Sequence, residues 1–201
     1  MPICHKNKLV FVHIPKAGGT TIEKALGLFG DNKILDKKKL FGHGSQHLSY
    51  EGILKRSELD VSEYFSFSFT RNPWSKMVSE FFWRKRLRLE RGEGFTFKNF
   101  LEMVCDFDLK DESLDPHYKE QHSFVFDAKG DQLVNFIGSM ENLQRDFDFV
   151  CQEVGMDSVV LPYENKGRHK DYVHYYDDEC RELVRKKYAK DIEYFGYKFG
   201  E

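Results

Sequence analysis

The segment Lys8–Thr21, KLVFVHIPKAGGTT, constrains the fold more than any other part of this chain. Lys8–Ile14 is a short, almost unbroken apolar run with the length of a strand buried on both faces. Pro15 to Gly19 interrupts it with turn-forming residues. Thr20–Phe29 (TTIEKALGLF) then sets Ile22, Ala25, Leu26 and Phe29 on one helical face. A strand, a small-residue loop and a helix in direct succession predict an α/β architecture. In such folds the loop lies at the carboxyl end of the strand, where ligands bind.

The rest of the chain repeats the alternation. Ser49–Ser57 reads as a short helix, and Tyr64–Thr70 (YFSFSFT) as a period-two strand of Phe65, Phe67 and Phe69 against Ser66 and Ser68. Asn72-Pro73 opens a helix that the pattern carries to about Arg91, because proline suits the first helical position. Phe97–Val104 is expected to be helical and Leu133–Ile137 to be a strand. Asn142–Val154 is an amphipathic helix, and Asp177–Phe195 reads as one last helix. The expectation is a central, mostly parallel sheet flanked by helices. With 201 residues, 40% of them hydrophobic and 32% charged, the chain suits a single domain over 1–201.

Charge and cysteine content remove several function classes. A formal net charge of -2 lacks the basic excess of a general nucleic-acid binder, so no nucleic-acid partner is expected. Cys4, Cys105, Cys151 and Cys180 form no CxxC pair and read as free thiols of a reducing compartment. Met1–Lys8 is polar, with no signal-peptide apolar region after it, and no apolar run approaches the ~18 residues of a membrane span. A cytoplasmic protein with no membrane segment is therefore expected. His117, His122, His169 and His174 do not have the spacing of a metal site, so no metal is expected.

Two segments carry chemistry. In the loop after the first strand, Ala17, Gly18 and Gly19 let the backbone approach an anion, Lys16 adds charge, and Thr20 and Thr21 add hydroxyls at a helix N-terminus. This is not a Walker A loop, in which Lys follows the last glycine and precedes the Ser/Thr that binds magnesium. Here Lys16 precedes both glycines, which disfavours a kinase or NTPase. In the second segment, FTRNPWSKMVS, Arg71 ends the aromatic strand and Ser79 lies eight positions on, about two helical turns along. A guanidinium fork and a hydroxyl in this arrangement can hold a phosphate.

Together these segments resemble those of the sulfotransferases that use 3′-phosphoadenosine 5′-phosphosulfate (PAPS), in particular the Golgi-type carbohydrate group and its bacterial relatives. HIPKAGGTT is similar to that family's 5′-phosphosulfate loop, and FTRNPWSKMVSEFFW to its 3′-phosphate segment. His47-Leu48-Ser49, Phe136-Ile137-Gly138, Glu141-Asn142-Leu143, Asn165–His169 and the Tyr175–Gly196 tail also resemble family landmarks, so the likeness covers most of residues 8–199. Ser139-Met140 departs from it, at a place where relatives often carry a basic–aromatic pair.

The resemblance implies a P-loop-like three-layer fold, PAPS as donor with 3′-phosphoadenosine 5′-phosphate (PAP) as product, and no metal. It implies in-line transfer to a hydroxyl acceptor, a carbohydrate or another hydroxyl compound. Lys16, Ala17, Gly18, Gly19, Thr20 and Thr21 would hold the 5′ side, and Arg71 and Ser79 the 3′-phosphate. Lys166, Gly167 and Arg168, two cations around a glycine, are expected to close on the nucleotide.

His47 is the candidate general base, placed like the histidine of the family's heparan and chondroitin 2-O-sulfotransferases; His43, in the same Gly-rich loop, is the alternative. His13 reads as a packed histidine rather than a catalyst. The basic run Arg84–Arg88 is either a solvated helix face or a surface for an anionic acceptor. Two rival readings stay open: an inactive sulfotransferase-like module that binds nucleotide or anionic glycan, and a small-molecule kinase.

Overall fold

The computed structural model describes residues 3–28, 45–57, 60–88, 95–161 and 170–201. In chain order the elements are β1 (Ile3–Cys4), β2 (Leu9–Val12), α1 (Gly19–Ala25), α2 (Tyr50–Ser57), β3 (Phe65–Thr70), α3 (Pro73–Arg88), α4 (Phe97–Asp106), β4 (Phe136–Ser139), α5 (Leu143–Glu153), α6 (Asp178–Lys187) and α7 (Ala189–Phe195). The chain forms two compact units, Met1–Thr70 with Ser123–Glu164, and Arg71–His122 with Asn165–Glu201. No helix among the described residues is long and apolar enough to cross a membrane.

The first unit is built on a four-stranded sheet of order β1-β2-β3-β4. β2, β3 and β4 run parallel, with Phe11 opposite Phe67 and Phe67 opposite Phe136; β1 is antiparallel to β2. The expected central, mostly parallel sheet is therefore present. Strand alternation sorts its side chains. Leu9, Phe11, Phe67 and Phe69 pack with Ile22 of α1, with Leu26 just after it, and with Phe147, Val150 and Cys151 of α5. Phe11 and Phe67 stack at 5.1 Å between centroids, and each fully buried ring contributes about 1.5–3 kcal/mol. The small residues sit on the other face, where Ser68 Oγ donates to Val12 O at 2.7 Å. β4 needs glycine at 138, because a Cβ there would lie 2.6 Å from the Phe69 ring.

Two elements differ from expectation. The last strand begins at Phe136, not Leu133. The Asn135 side chain takes over the pairing at its start: Asn135 Oδ1 accepts from Ser66 N–H at 2.7 Å and from Ser66 Oγ at 2.8 Å. The antiparallel β1, drawn from the polar N-terminal stretch, was not expected at all.

The second unit is helical. Asn72 caps α3 by accepting from Trp74 N–H at 3.1 Å, while its Nδ2 donates to Lys198 O at 2.8 Å. Trp74, Met77, Val78 and Phe81 of α3 share a core with Phe97, Phe100, Leu101 and Val104 of α4 and with Cys180, Val184 and Tyr188. The expected single helix over Asp177–Phe195 is two helices. Tyr188, at φ -114 and ψ 34, separates α6 from α7. Its ring is buried, and its hydroxyl donates to Tyr118 O at 3.0 Å.

Candidate active site

In the first unit, the loop after β2 carries two left-handed residues. Gly18 has φ 84, and Lys16 has φ 65 although it has a side chain. A non-glycine residue there is strained by about 1–3 kcal/mol, and such strain gathers at functional sites. Lys16, Gly18 and Thr20 are partly exposed, whereas Ala17, Gly19 and Thr21 are buried. Ala17 N–H and Thr21 N–H are committed to Ile14 O and Gly18 O. The open side of the loop is thus Lys16, Gly18 and Thr20, at the start of α1, where Thr21 N–H and Ile22 N–H already bond Gly18 O. Packing crowds position 18 and requires glycine at 19. A Cβ on Gly18 would come to 3.2 Å from Leu143, and one on Gly19 to 2.1 Å from the His13 ring. A loop with this curvature, small residues and a cation fits the phosphate end of a nucleotide.

His13 is packed, as expected, but the surrounding residues give it a further role. Its Nδ1 meets Glu23 Oε1 at 2.8 Å, with both side chains buried. Gln46 Nε2 donates to Glu23 Oε1 and to Oε2, each at 3.3 Å. His47 lies edge-on to the His13 ring, with centroids 4.6 Å apart, and its Nδ1 is 3.0 Å from His13 O. A carbonyl can only accept, so Nδ1 carries the hydrogen, and in the neutral ring Nε2 is the basic nitrogen. Glu23 and Gln46 were missed from sequence: no motif joins an acid on a helix to a histidine ten residues earlier.

In the second unit, Arg71, Ser75 and Ser79 follow one another at i, i+4 and i+8, and these three are partly exposed in an otherwise buried stretch over residues 71–80. Arg71 Nε donates to Ser75 Oγ at 3.0 Å. Ser75 was not a sequence candidate, although its spacing from Arg71 places it on the same helix face. Behind this face Lys76 is buried, donates to His117 O at 2.8 Å and lies over the Tyr188 ring. Burial pushes its ammonium down to about 8, against the opposing pull of Glu80.

The basic run is corrected at its first member. Arg84 pairs with Glu80 Oε1 at 2.6 Å and with Asp115, and stands over the Trp83 and Tyr118 rings. Burial opposes its charge, but the Asp115 and Glu80 hydrogen bonds prevail and raise its pKa. Glu80 also accepts from His117 Nδ1 at 2.8 Å. Burial works against the Glu80 carboxylate too, and its His117 and Arg84 hydrogen bonds still hold it below the ordinary range. Lys85 and Arg86 are exposed. His43 and Lys166, Gly167 and Arg168 lie outside the described residues.

The family model described as "Sulfotransferase family" matches residues 1–198. The chain belongs to this sulfotransferase family. Its sequence is 23% identical over 234 residues to human carbohydrate sulfotransferase 10, covering 97% of this chain and 66% of that protein. To the rat protein of the same name it is 24% identical over 238 residues, with the same coverage. The chain thus spans just under two thirds of the length of these curated relatives. Among solved structures it is similar to mouse sulfotransferase SULT7A1 complexed with PAP, at a TM-score of 0.55 and 16% identity over 94% of this chain and 86% of that one. That likeness supports the expected P-loop-like α/β fold.

Seen as a sulfotransferase, the departure at Ser139-Met140 has a local explanation. Ser139 caps the turn ahead of α5 by accepting from Asn142 N–H at 3.2 Å, and its own N–H donates to Asp146 Oδ2 at 2.8 Å.

Proposed function

We propose that this sulfotransferase moves a sulfuryl group from PAPS to a hydroxyl of a carbohydrate acceptor by in-line displacement. The observation that carries the reading is the continuity of one segment. His13, whose carbonyl holds the His47 ring at 3.0 Å, stands three residues ahead of Lys16, which opens the left-handed loop. A base and an anion cradle thus depend on the same short stretch of chain. The PAP complex of SULT7A1 and the name of carbohydrate sulfotransferase 10 support the choice of donor and acceptor class.

PAPS, when bound, supplies an activated sulfuryl group. An alcohol is a poor nucleophile at neutral pH, so His47 Nε2 takes the acceptor's proton as the new oxygen–sulfur bond forms. The bond from sulfur to the bridging phosphate oxygen breaks, its electron pair stays on that oxygen, and the Lys16 ammonium offsets the charge that develops there. Gly18, Gly19 and Thr20 hold the 5′ side, while Ala17 and Thr21 shape the loop through their N–H bonds to Ile14 O and Gly18 O; Arg71 and Ser79 hold the 3′-phosphate.

Because the phosphates are met by N–H groups and cations of the chain, PAP binds without a divalent ion. A ligand that binds only the folded state raises the melting temperature. In EDTA, PAP is expected to raise it and ATP to raise it less. A shift with ATP and magnesium, and none with PAP, would instead favour the kinase reading.

A further inference from the structure

Arg71, the residue that follows β3, is held by an arrangement that phosphate binding alone does not call for. Its N–H donates to Gln121 Oε1 at 2.9 Å, and Gln121 Nε2 donates to Arg71 O at 2.8 Å. One side chain thus grips both peptide groups of one residue, as a neighbouring strand would. Gln121 is 0% exposed and cannot itself reach a ligand. Its grip has a second layer. Gln121 N–H donates to Asp191 Oδ2 at 2.7 Å, and His122 N–H and Nδ1–H both donate to Asp191 Oδ1 at 2.9 Å. Asp191 on α7 is also 0% exposed, and the His122 ring stacks on Tyr194 of the same helix at 5.3 Å.

A buried amide and a buried carboxylate are costly unless every polar atom is matched, and here each is matched by the peptide groups it holds. What the matched network adds is a single orientation. At the outer end, Arg71 Nε–H donates to Ser75 Oγ at 3.0 Å, so the side chain is oriented at its guanidinium end and the backbone at its root.

We propose that Gln121, held by Asp191, is a positioning residue that aims Arg71 and so sets the selectivity of this sulfotransferase for nucleotides bearing a 3′-phosphate. The proposal rests on the reading of Arg71 as the 3′-phosphate ligand.

The test is the ratio of dissociation constants for PAP and adenosine 5′-phosphosulfate, which lacks the 3′-phosphate, measured by calorimetry on the full chain. Gln121→Leu should weaken PAP about tenfold, the scale of one or two lost hydrogen bonds, and leave adenosine 5′-phosphosulfate within about twofold. Equal weakening of both ligands, or no change in either, would overturn the proposal and leave Gln121 a scaffold residue. If Gln121→Leu does not fold, Gln121→Glu decides by the same ratio, since it keeps the side-chain length and the acceptor for Arg71 N–H. Arg71→Ala separates the two claims. If it shifts the ratio and the Gln121 variants do not, only the positioning role fails; if it does not shift the ratio, the Arg71 assignment fails and the positioning role with it.

Discussion

His47 Nδ1 sits 3.0 Å from the carbonyl oxygen of His13, and that contact fixes which ring nitrogen of His47 can take a proton. With Nδ1 donating, Nε2 is the basic atom. His47→Ala is expected to cut turnover by about a hundredfold or more while PAP affinity stays within about twofold. His43→Ala should do much less. Single-turnover kinetics with calorimetry of PAP checks both. Full activity in His47→Ala with loss in His43→Ala would transfer the role to His43.

Gly19 is the most sterically constrained residue of the cradle. A Cβ there would stand 2.1 Å from two atoms of the His13 ring, which is itself tied to Glu23. Gly19→Ala should lose about 1–3 kcal/mol of stability through overpacking and weaken PAP by displacing the loop. In a double-mutant cycle with His13→Ala the two changes should be coupled by about 0.5–3 kcal/mol, because the second makes room for the first. Strict additivity in urea denaturation would show that the loop yields freely.

Lys76 gives a pH dependence whose sign is fixed. Its ammonium titrates near 8 in the folded chain because burial disfavours the charge, against ~10.4 when unfolded. Between those values the unfolded chain binds more protons, so stability gained from this group rises with pH through that window and is lost as pH falls through about 8. Lys76→Met should remove the rise. Denaturation curves at several pH values from 7.5 to 10.5 for both proteins test it; parallel trends would contradict it.

Arg84 and its neighbours should behave differently from one another. Arg84→Met breaks bonds to Glu80 and Asp115 and should cost about 1.5–3 kcal/mol. Neutralising exposed Lys85 and Arg86 together should leave stability and PAP binding alone. If these residues steer an anionic acceptor, that change should raise its KM and flatten its salt dependence. Unchanged kinetics on every acceptor would leave them a solvated face.

How far the sequence could be read follows from what kind of signal each feature leaves. Phe65, Phe67 and Phe69 alternate with serines, and the cradle lies between a strand and a helix, so β2, α1 and β3 were legible from local pattern. β1 was not, because two apolar residues in a polar stretch gain strand geometry only from β2 beside them. Val134 is buried and looked like strand, yet Asn135 does the pairing with its side chain. The apolar period runs unbroken through Tyr188, which hides the change from α6 to α7. Lys16, Gly18 and Arg71 were legible as candidates because their chemistry is local. Glu23, Gln46, Gln121 and Asp191 were not, because each acts through a partner that no local motif joins to it: Glu23 on His13 across ten residues, Gln121 on Arg71 across 50.

The most direct test of the central claim is transfer of labelled sulfate from PAPS, with EDTA present, to a panel of glycans and small alcohols. The account predicts label on at least one carbohydrate hydroxyl, stoichiometric release of PAP, and loss of both with His47→Ala. PAP binding with no transfer to any acceptor would contradict it and leave a nucleotide-binding module in place of an enzyme.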